Sequence, residues 1–143
     1  MLVAPVGIKV GPVDRLDIPD IYVMPQDKLD ALLYADPAKF RPDPSKLTDQ
    51  DLLTMARNRQ TLALVTWEPY MHNPKLKHRL HRIDRPTLLI LGAQDGLISA
   101  DYAAAYAGLI PGAKLTTIAG AGHSPQLEKP ERFVDEIERF AGA

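Results

Sequence analysis

The feature that most constrains the fold is the aliphatic run TLLIL at residues 87–91, which is followed at once by Gly92. An uninterrupted apolar run of this length is typical of a strand that is covered on both faces, as in a parallel sheet. Similar short runs occur at residues 1–8 and 114–118. We therefore expect an α/β fold with a parallel sheet of about three strands.

Helical patterns separate these three runs. Residues 26–34 and a longer stretch that Thr48 can cap, ending near residue 65, have apolar residues at helical rather than alternating spacing. A further helical pattern places Leu76, Leu80 and Ile83 on one face. Residues 13–83 are therefore predicted to be mainly helical, with interruptions at prolines.

Two more helices follow the central strand. Ser99 can cap the first of them. Pro130 is suited to the first position of the second, which is predicted to bury the four apolar residues Phe133, Val134, Ile137 and Phe140. Alternation of strands and helices favours parallel strands joined by right-handed crossovers.

An acid and a histidine each come just after a predicted strand. Asp95 lies three residues beyond Gly92, and His123 lies on a turn between Gly120 and Ser124-Pro125. Histidine titrates near neutral pH and can take a proton from a nucleophile and return it to a leaving group. An aspartate can orient the imidazole and stabilise its protonated form. These positions predict an acid–base pair at one sheet edge.

This pattern closely resembles the second half of the α/β-hydrolase family, in which the acid precedes the histidine in chain order. The resemblance implies a partial α/β-hydrolase fold: residues 1–12 as a first core strand, 13–83 as the helical cap, and 84–143 as the core segment carrying Asp95 and His123. It also implies hydrolysis of a small-molecule ester, carbon–carbon or epoxide-like bond.

Two other acids compete with Asp95. Asp101 lies in the first turn of a predicted helix, where it compensates the helix dipole. Asp14 follows the first predicted strand, and some relatives place their acid there. Asp101 is thus explained by its place in the helix, whereas Asp14 stays open as an alternative to Asp95 at the level of sequence.

The nucleophile that should precede this pair is missing. A nucleophile elbow needs G-x-S-x-G or the same turn around Asp or Cys. Ser45 lies in a proline-rich turn, Ser99 is a helix cap, and Ser124 has no glycine on its far side. We expect a nucleophile outside this chain, and the chain alone to be inactive.

The loop at residues 67–74 contains the most distinctive side chains of the predicted cap. Resemblance to epoxide-hydrolase-like and carbon–carbon-bond-hydrolase-like members implies substrate contacts; fastening the cap to the sheet is the alternative role. The residues concerned are Trp67, Tyr70, Met71 and His72. The nearby histidines have basic neighbours that disfavour a cation, so we expect no metal site and no cofactor.

The amino-acid composition excludes several classes of binding partner and site. A net charge of −1 provides no overall attraction to nucleic acid or anionic lipid. With no cysteine there is no disulfide, thiol nucleophile or thiolate metal site. No basic leader precedes an apolar run, and no run approaches the roughly 20 residues of a membrane-spanning helix. A cytoplasmic protein with a small-molecule substrate is predicted.

A length of 143 residues is short of the roughly 250 that a complete fold of this family needs. We therefore expect a fragment, one half of a split protein, or a free-standing non-catalytic binding module. The sheet should then have an open apolar edge at residues 1–6, where a missing N-terminal half or a second copy could pair. The residues expected to lose core packing are Leu2, Val3, Leu89 and Ile118.

Overall fold

The computed structural model describes residues 1–142, in which a small parallel sheet is surrounded by helices. The elements in chain order are β1 (Leu2–Val3), α1 (Gln26–Leu33), α2 (Pro37–Phe40), α3 (Asp49–Thr66), β2 (Leu88–Gly92), α4 (Ala100–Gly108), β3 (Lys114–Ile118), α5 (Pro125–Glu128) and α6 (Pro130–Ala141). Short 3-10 turns occur at Pro44–Lys46 and Leu80–Arg82. The predicted α/β class and three parallel strands are confirmed.

The sheet has the order β1-β2-β3, with both neighbouring pairs parallel. Leu89 is opposite Leu2 on one side and Leu115 on the other. β1 is shorter than the predicted run of residues 1–8. Ala4 has a φ of 39° and donates a last hydrogen bond to the Ile90 carbonyl (2.9 Å), after which Pro5 has no N–H to donate.

Alternate residues of β2 enter two different cores. Leu89 and Leu91 pack on one side with Tyr102 and Ala103 of α4, whereas Leu88 and Ile90 pack on the other. There α6 contributes Phe133, Ile137 and Phe140, as predicted, but Val134 is 49% exposed. Three apolar positions are enough to cover this narrow sheet, and Val134 lies outside their stripe.

The expected loss of core packing at the sheet is wrong for Leu89 of β2 and Ile118 of β3. Leu89 and Ile118 are 0% and 3% exposed. They are covered by the helices on the two faces, so they do not depend on a further strand. Leu2 and Val3 at the β1 edge are half-buried.

The long helix α3 begins with the cap that the sequence predicts. The Thr48 hydroxyl accepts from the Asp51 N–H (3.2 Å), and the Asp51 carboxylate accepts from the Thr48 N–H (3.0 Å), which closes a capping box. No residue of α3 is buried. The apolar residues Leu52, Leu64 and Val65 are 44%, 79% and 75% exposed.

The helix predicted around Leu76, Leu80 and Ile83 is not formed. Successive tight turns replace it, in which the Leu76 N–H donates to Asn73 O (3.0 Å) and the Arg79 N–H donates to Leu76 O (2.8 Å). Pro74 and Pro86 enclose this stretch and leave little length for a regular helix. Leu80 is nevertheless buried in the core.

None of the helices in residues 1–142 is both long enough and apolar enough to cross a bilayer.

Candidate active site

Asp95 lies in the loop after β2, where its side chain is fully buried. The loop is tight because the Asp95 N–H donates to Gly92 O (3.1 Å). One carboxylate oxygen, Oδ1, accepts from the N–H groups of Leu97 and Ile98, both at 2.9 Å. The other oxygen, Oδ2, lies 2.9 Å from Nδ1 of His123. The carboxylate is therefore held by the backbone at one oxygen and directed at the imidazole with the other.

His123 lies in the loop after β3, and its side chain is 26% exposed. This loop turns at Gly120, whose φ of +74° favours glycine. If Nδ1 carries the proton donated to Asp95, the second ring nitrogen, Nε2, is unprotonated and can accept a proton. The distance falls within the 2.6 to 3.2 Å expected for a working acid–base pair. The arrangement can accept a proton at Nε2 and stabilise the resulting imidazolium.

The two loops are packed directly against each other. The Gln94 N–H donates to Ala121 O (2.8 Å), and the Ala93 N–H donates to Ile118 O (2.9 Å). A side chain at Gly92 would collide with the backbone carbonyls of Ala121 and Gly122. The relative position of the acid and the histidine is thus fixed by backbone contacts.

The competing acids lie elsewhere. Asp101 is exposed in the first turn of α4, and Asp14 is exposed in the loop after β1. Among residues 1–142, the hydrogen bond of the His123 ring goes to Asp95. The geometry favours Asp95 over both alternatives.

An apolar cavity of about 320 Å³ opens beside His123. Its other lining residues are all apolar: Ala4, Val6, Ile18, Ile21, Leu29, Leu33, Leu62, Met71 and Leu97. The sequence pattern did not predict Leu62 and Leu97 as site residues, because nothing in helical or strand periodicity distinguishes a cavity wall from a core contact. The lining can accommodate an uncharged, apolar part of a ligand.

The four residues of the predicted substrate loop do not come together at this cavity. Met71, which is buried and has a φ of 52°, is the one that lines it. Tyr70 and His72 line a different cavity of about 390 Å³, near Ile8 and Asp17. Trp67 is 58% exposed and lies against the Tyr22 ring, with centroids 5.7 Å apart.

Tyr70 is held in a structural contact. Its hydroxyl donates to Pro19 O (2.8 Å) and accepts from the Ile21 N–H (3.0 Å). Burial raises the pKa of Tyr70 above its ordinary value, although the contact with Ile21 opposes this. Both partners lie within residues 13–83, so these contacts hold the loop inside that segment and do not test the alternative role of fastening the cap to the sheet.

The three serines are not placed near the imidazole by any hydrogen bond in the described part of the chain. Ser45 bonds to Asp43, and the Ser99 hydroxyl accepts from the Tyr102 N–H as the cap of α4 (3.1 Å). Ser124 precedes α5 and uses its backbone carbonyl there. Residues 1–142 also contain no group of three His, Asp or Glu side chains arranged for a metal ion.

Glu128 is a buried residue beside the site, and the sequence pattern did not predict a role for it. It is 4% exposed, and its two oxygens accept from the N–H groups of Gly122 and Ala35, each at 2.8 Å. The signal available in the sequence was weak: an acid between Pro125 and Pro130 reads as an exposed helix residue. One of its partners is 93 residues away in the chain.

Comparisons with known proteins agree with this architecture. A family profile described as "Alpha/beta hydrolase family" matches residues 2–136. A pimeloyl-[acyl-carrier protein] methyl ester esterase from Xanthomonas oryzae pv. oryzae is 37% identical over 68 residues, which are 48% of this chain and 27% of that esterase. The chain therefore matches only about a quarter of the length of this relative.

Two solved structures are similar over most of the chain. A bacterial membrane phospholipase A gives a TM-score of 0.62 at 22% identity, covering 81% of this chain and 36% of that chain. The 2-hydroxy-6-oxo-6-phenylhexa-2,4-dienoate hydrolase from Rhodococcus sp. strain RHA1 gives a TM-score of 0.51 at 18% identity, covering 81% and 43%. At these identities the likeness concerns the fold alone.

Proposed function

Because the chain belongs to the alpha/beta hydrolase family, we propose that it is the acid–base portion of an ester hydrolase. In this proposal His123 is the general base and acid, and Asp95 orients and stabilises its imidazole. The substrate is a small molecule, and the nucleophile is supplied by residues outside this chain. The same proposal assigns residues 1–12 to a first core strand, 13–83 to a cap and 84–143 to the core segment.

The observation that carries the proposal is the contact of 2.9 Å between Nδ1 of His123 and Oδ2 of Asp95, whose side chain is fully buried. Two backbone N–H groups already occupy the other oxygen of this carboxylate. The carboxylate thus remains oriented while the imidazole gains and loses a proton. This division of roles is the one that an acid–base pair requires.

The reaction follows from the free ring nitrogen. Nε2 takes the proton of an attacking hydroxyl, and the imidazolium is stabilised by Asp95. The same nitrogen then returns the proton to the leaving alcohol. An ester is the preferred substrate class because the matching Xanthomonas relative is named as a methyl ester esterase. Carbon–carbon and epoxide-like bonds are the narrower alternatives.

Met71 is proposed to contact the substrate, since it shares the apolar cavity with His123. Trp67, Tyr70 and His72 are proposed to act less directly. Tyr70 and His72 line the separate cavity near Ile8 and Asp17, and in this proposal the three residues shape the path to the His123 cavity.

A non-catalytic binding module is the second candidate function. The exposed apolar residues of α3 and the half-buried edge strand β1 favour it, because exposed apolar surface is typical of interaction sites. In this account a second copy of the chain pairs with β1. Sedimentation over a wide concentration range tests this account, which predicts self-association.

The decisive experiment measures hydrolysis of a p-nitrophenyl ester of a short fatty acid. The chain alone is expected to show no burst and no turnover above a folded control protein. Addition of an N-terminal half that carries a G-x-S-x-G elbow is expected to restore turnover. In the restored enzyme His123→Ala should abolish it, and Asp95→Asn should lower kcat by about 10⁴ through loss of the correct tautomer.

Asp101→Asn is the matched control, because this exposed acid lies only six residues from Asp95 and has no contact with the imidazole in the described chain. It should leave turnover unchanged. Turnover that survives His123→Ala, or that depends equally on Asp101 and Asp95, would refute the assignment.

A further inference from the structure

The C-terminal turn of α1 accepts hydrogen bonds from both loops of the site. The Gly96 N–H, next to Asp95, donates to Leu32 O (2.9 Å), and the His123 N–H donates to Leu33 O (2.7 Å). The last carbonyls of a helix have no partner within the helix. Here two consecutive carbonyls are paired with the residue after the acid and with the histidine itself.

Glu128 closes this arrangement from the other side. Its Oε1 accepts from the Gly122 N–H, and its Oε2 accepts from the Ala35 N–H, just beyond α1. A buried carboxylate is unfavourable unless it is hydrogen-bonded. Hydrogen bonds to a charged acceptor are about twice as strong as those between neutral groups. The Glu128 carboxylate therefore connects Gly122, the residue before His123, to Ala35, the second residue after the end of α1.

The fit between the loop and α1 leaves no free space. A Cβ at Gly122 would lie 2.5 Å from Leu33 O and 2.9 Å from the Ala35 nitrogen. A Cβ at Gly96 would lie 2.8 Å from the Leu32 Cα. The histidine loop cannot shift relative to α1 without breaking the two Glu128 bonds or the His123 backbone bond.

We propose that Glu128 is a positioning residue for His123, acting through Gly122 and Ala35 to lock the histidine loop onto α1. The proposal rests on the proposed function for the catalytic role of His123. The way in which His123 is held follows from the hydrogen bonds alone. Both Glu128 oxygens are occupied by backbone N–H groups, so Glu128 sets the place of the imidazole and takes no part in proton transfer.

The test compares Glu128→Gln with Glu131→Gln by NMR in the absence of any substrate. Glutamine keeps the shape of the side chain but replaces one acceptor oxygen by an NH₂ group that faces an N–H donor. Amide exchange at Gly122 and Ala35 should become at least about tenfold faster, as expected for loss of one hydrogen bond to a charged acceptor. Glu131, exposed at the start of α6, should give no change.

The readout specific to positioning is the ¹⁵N spectrum of the His123 ring. The wild-type chain should show one tautomer with the proton on Nδ1, and Glu128→Gln should show a mixture. Glu128→Asp, which keeps the charge on a shorter side chain, should lie between the two. An unchanged ring spectrum in Glu128→Gln, with faster exchange at Gly122, would show a structural role alone and overturn the proposal.

If Glu128→Gln does not fold, the wild-type chain still provides a test. The amides of Gly122, Ala35 and His123 should be released in one opening event, so their protection factors should agree within about threefold. Widely different protection would overturn the proposal. Because no step needs ester turnover, failure of the hydrolase assignment and failure of this inference give separate results.

Discussion

β2 and α3 are both rich in aliphatic residues, yet their surroundings differ completely. Every residue of β2 is buried, whereas no residue of α3 is. Leu89 in the strand is 0% exposed and Leu64 in the helix is 79% exposed. The difference shows that packing partners, and not aliphatic content, decide which segment belongs to the core.

The acid and histidine loops belong with the buried strand. Their backbone groups are tied to each other and to α1, as the bonds of Gln94, Gly96 and His123 show. α3 is held by fewer contacts at its surface: Arg59 donates to Ile21 O (3.0 Å), and the Thr66 and Tyr22 hydroxyls are 3.1 Å apart. The molecule therefore combines an Asp95–His123 contact held by backbone hydrogen bonds with an exposed helix that adds Leu62 to the cavity wall.

The largest expected effect comes from truncating the same side chain in the two regions. Leu89→Ala should lower the free energy of unfolding by about 2–5 kcal/mol, because it leaves a cavity in a close-packed core. Leu64→Ala should change it by less than about 0.5 kcal/mol. Urea unfolding followed by circular dichroism measures both, and equal effects would break the comparison.

A smaller loss of stability is expected from adding one methyl group where the histidine loop meets α1. Gly122→Ala should cost roughly 1–3 kcal/mol of stability, since its Cβ would press on the backbone of Leu33 and Ala35. Gly108→Ala is the matched control. Its Cβ meets nothing within 4 Å. A Gly122→Ala protein as stable as the control would mean that the loop is not fixed by α1.

The α/β class, the bounds of β3 and the caps at Thr48 and Ser99 could be predicted because they depend on local sequence. The same holds for placing Asp95 and His123 at one sheet edge, since parallel strands bring their carboxyl ends together. Their catalytic roles stay a prediction.

Other features depend on contacts that local patterns do not encode. The partner of Glu128 at Ala35 is distant in the chain, and helical periodicity in α3 does not reveal whether anything lies opposite its apolar residues. The side chains of Tyr70 and His72 turn away from the His123 cavity around Met71, whose positive φ nothing in the sequence indicates.

Loss of the α3 cap should have a local effect of about 1 kcal/mol. Thr48→Ala removes the hydroxyl that accepts from the Asp51 N–H. If α3 opens independently of the sheet, amide exchange in its first turns should quicken while the urea midpoint of the whole chain stays nearly constant. A matching fall in global stability would show instead that α3 and the sheet unfold together.

The smallest expected effect is a change in stability at alkaline pH, which arises from the buried Tyr102. The Tyr102 hydroxyl donates to Ile8 O (2.9 Å), and burial raises the pKa of Tyr102 although its contacts with Ile8 and Gly7 lower it. The Tyr102 hydroxyl then holds its proton more tightly in the folded state than in the unfolded state. The contribution of Tyr102 is complete below pH about 10 and falls as pH rises above that value.

Urea unfolding of the wild-type chain and Tyr102→Phe at pH 8 and pH 11 measures this effect. The stability advantage of the wild-type chain should shrink at pH 11. An advantage that grows with pH would have the wrong sign and would contradict burial as the cause.

Site-resolved hydrogen exchange of the wild-type chain tests the central claim most directly, namely that the acid–base pair is fixed in a rigid unit distinct from α3. The amides of Gln94, Gly96 and His123, which donate to Ala121, Leu32 and Leu33, should exchange only through global unfolding. The amides of α3 should exchange much faster, through local opening. Protection of α3 equal to that of His123, or rapid exchange at His123 and Gly96, would contradict the claim.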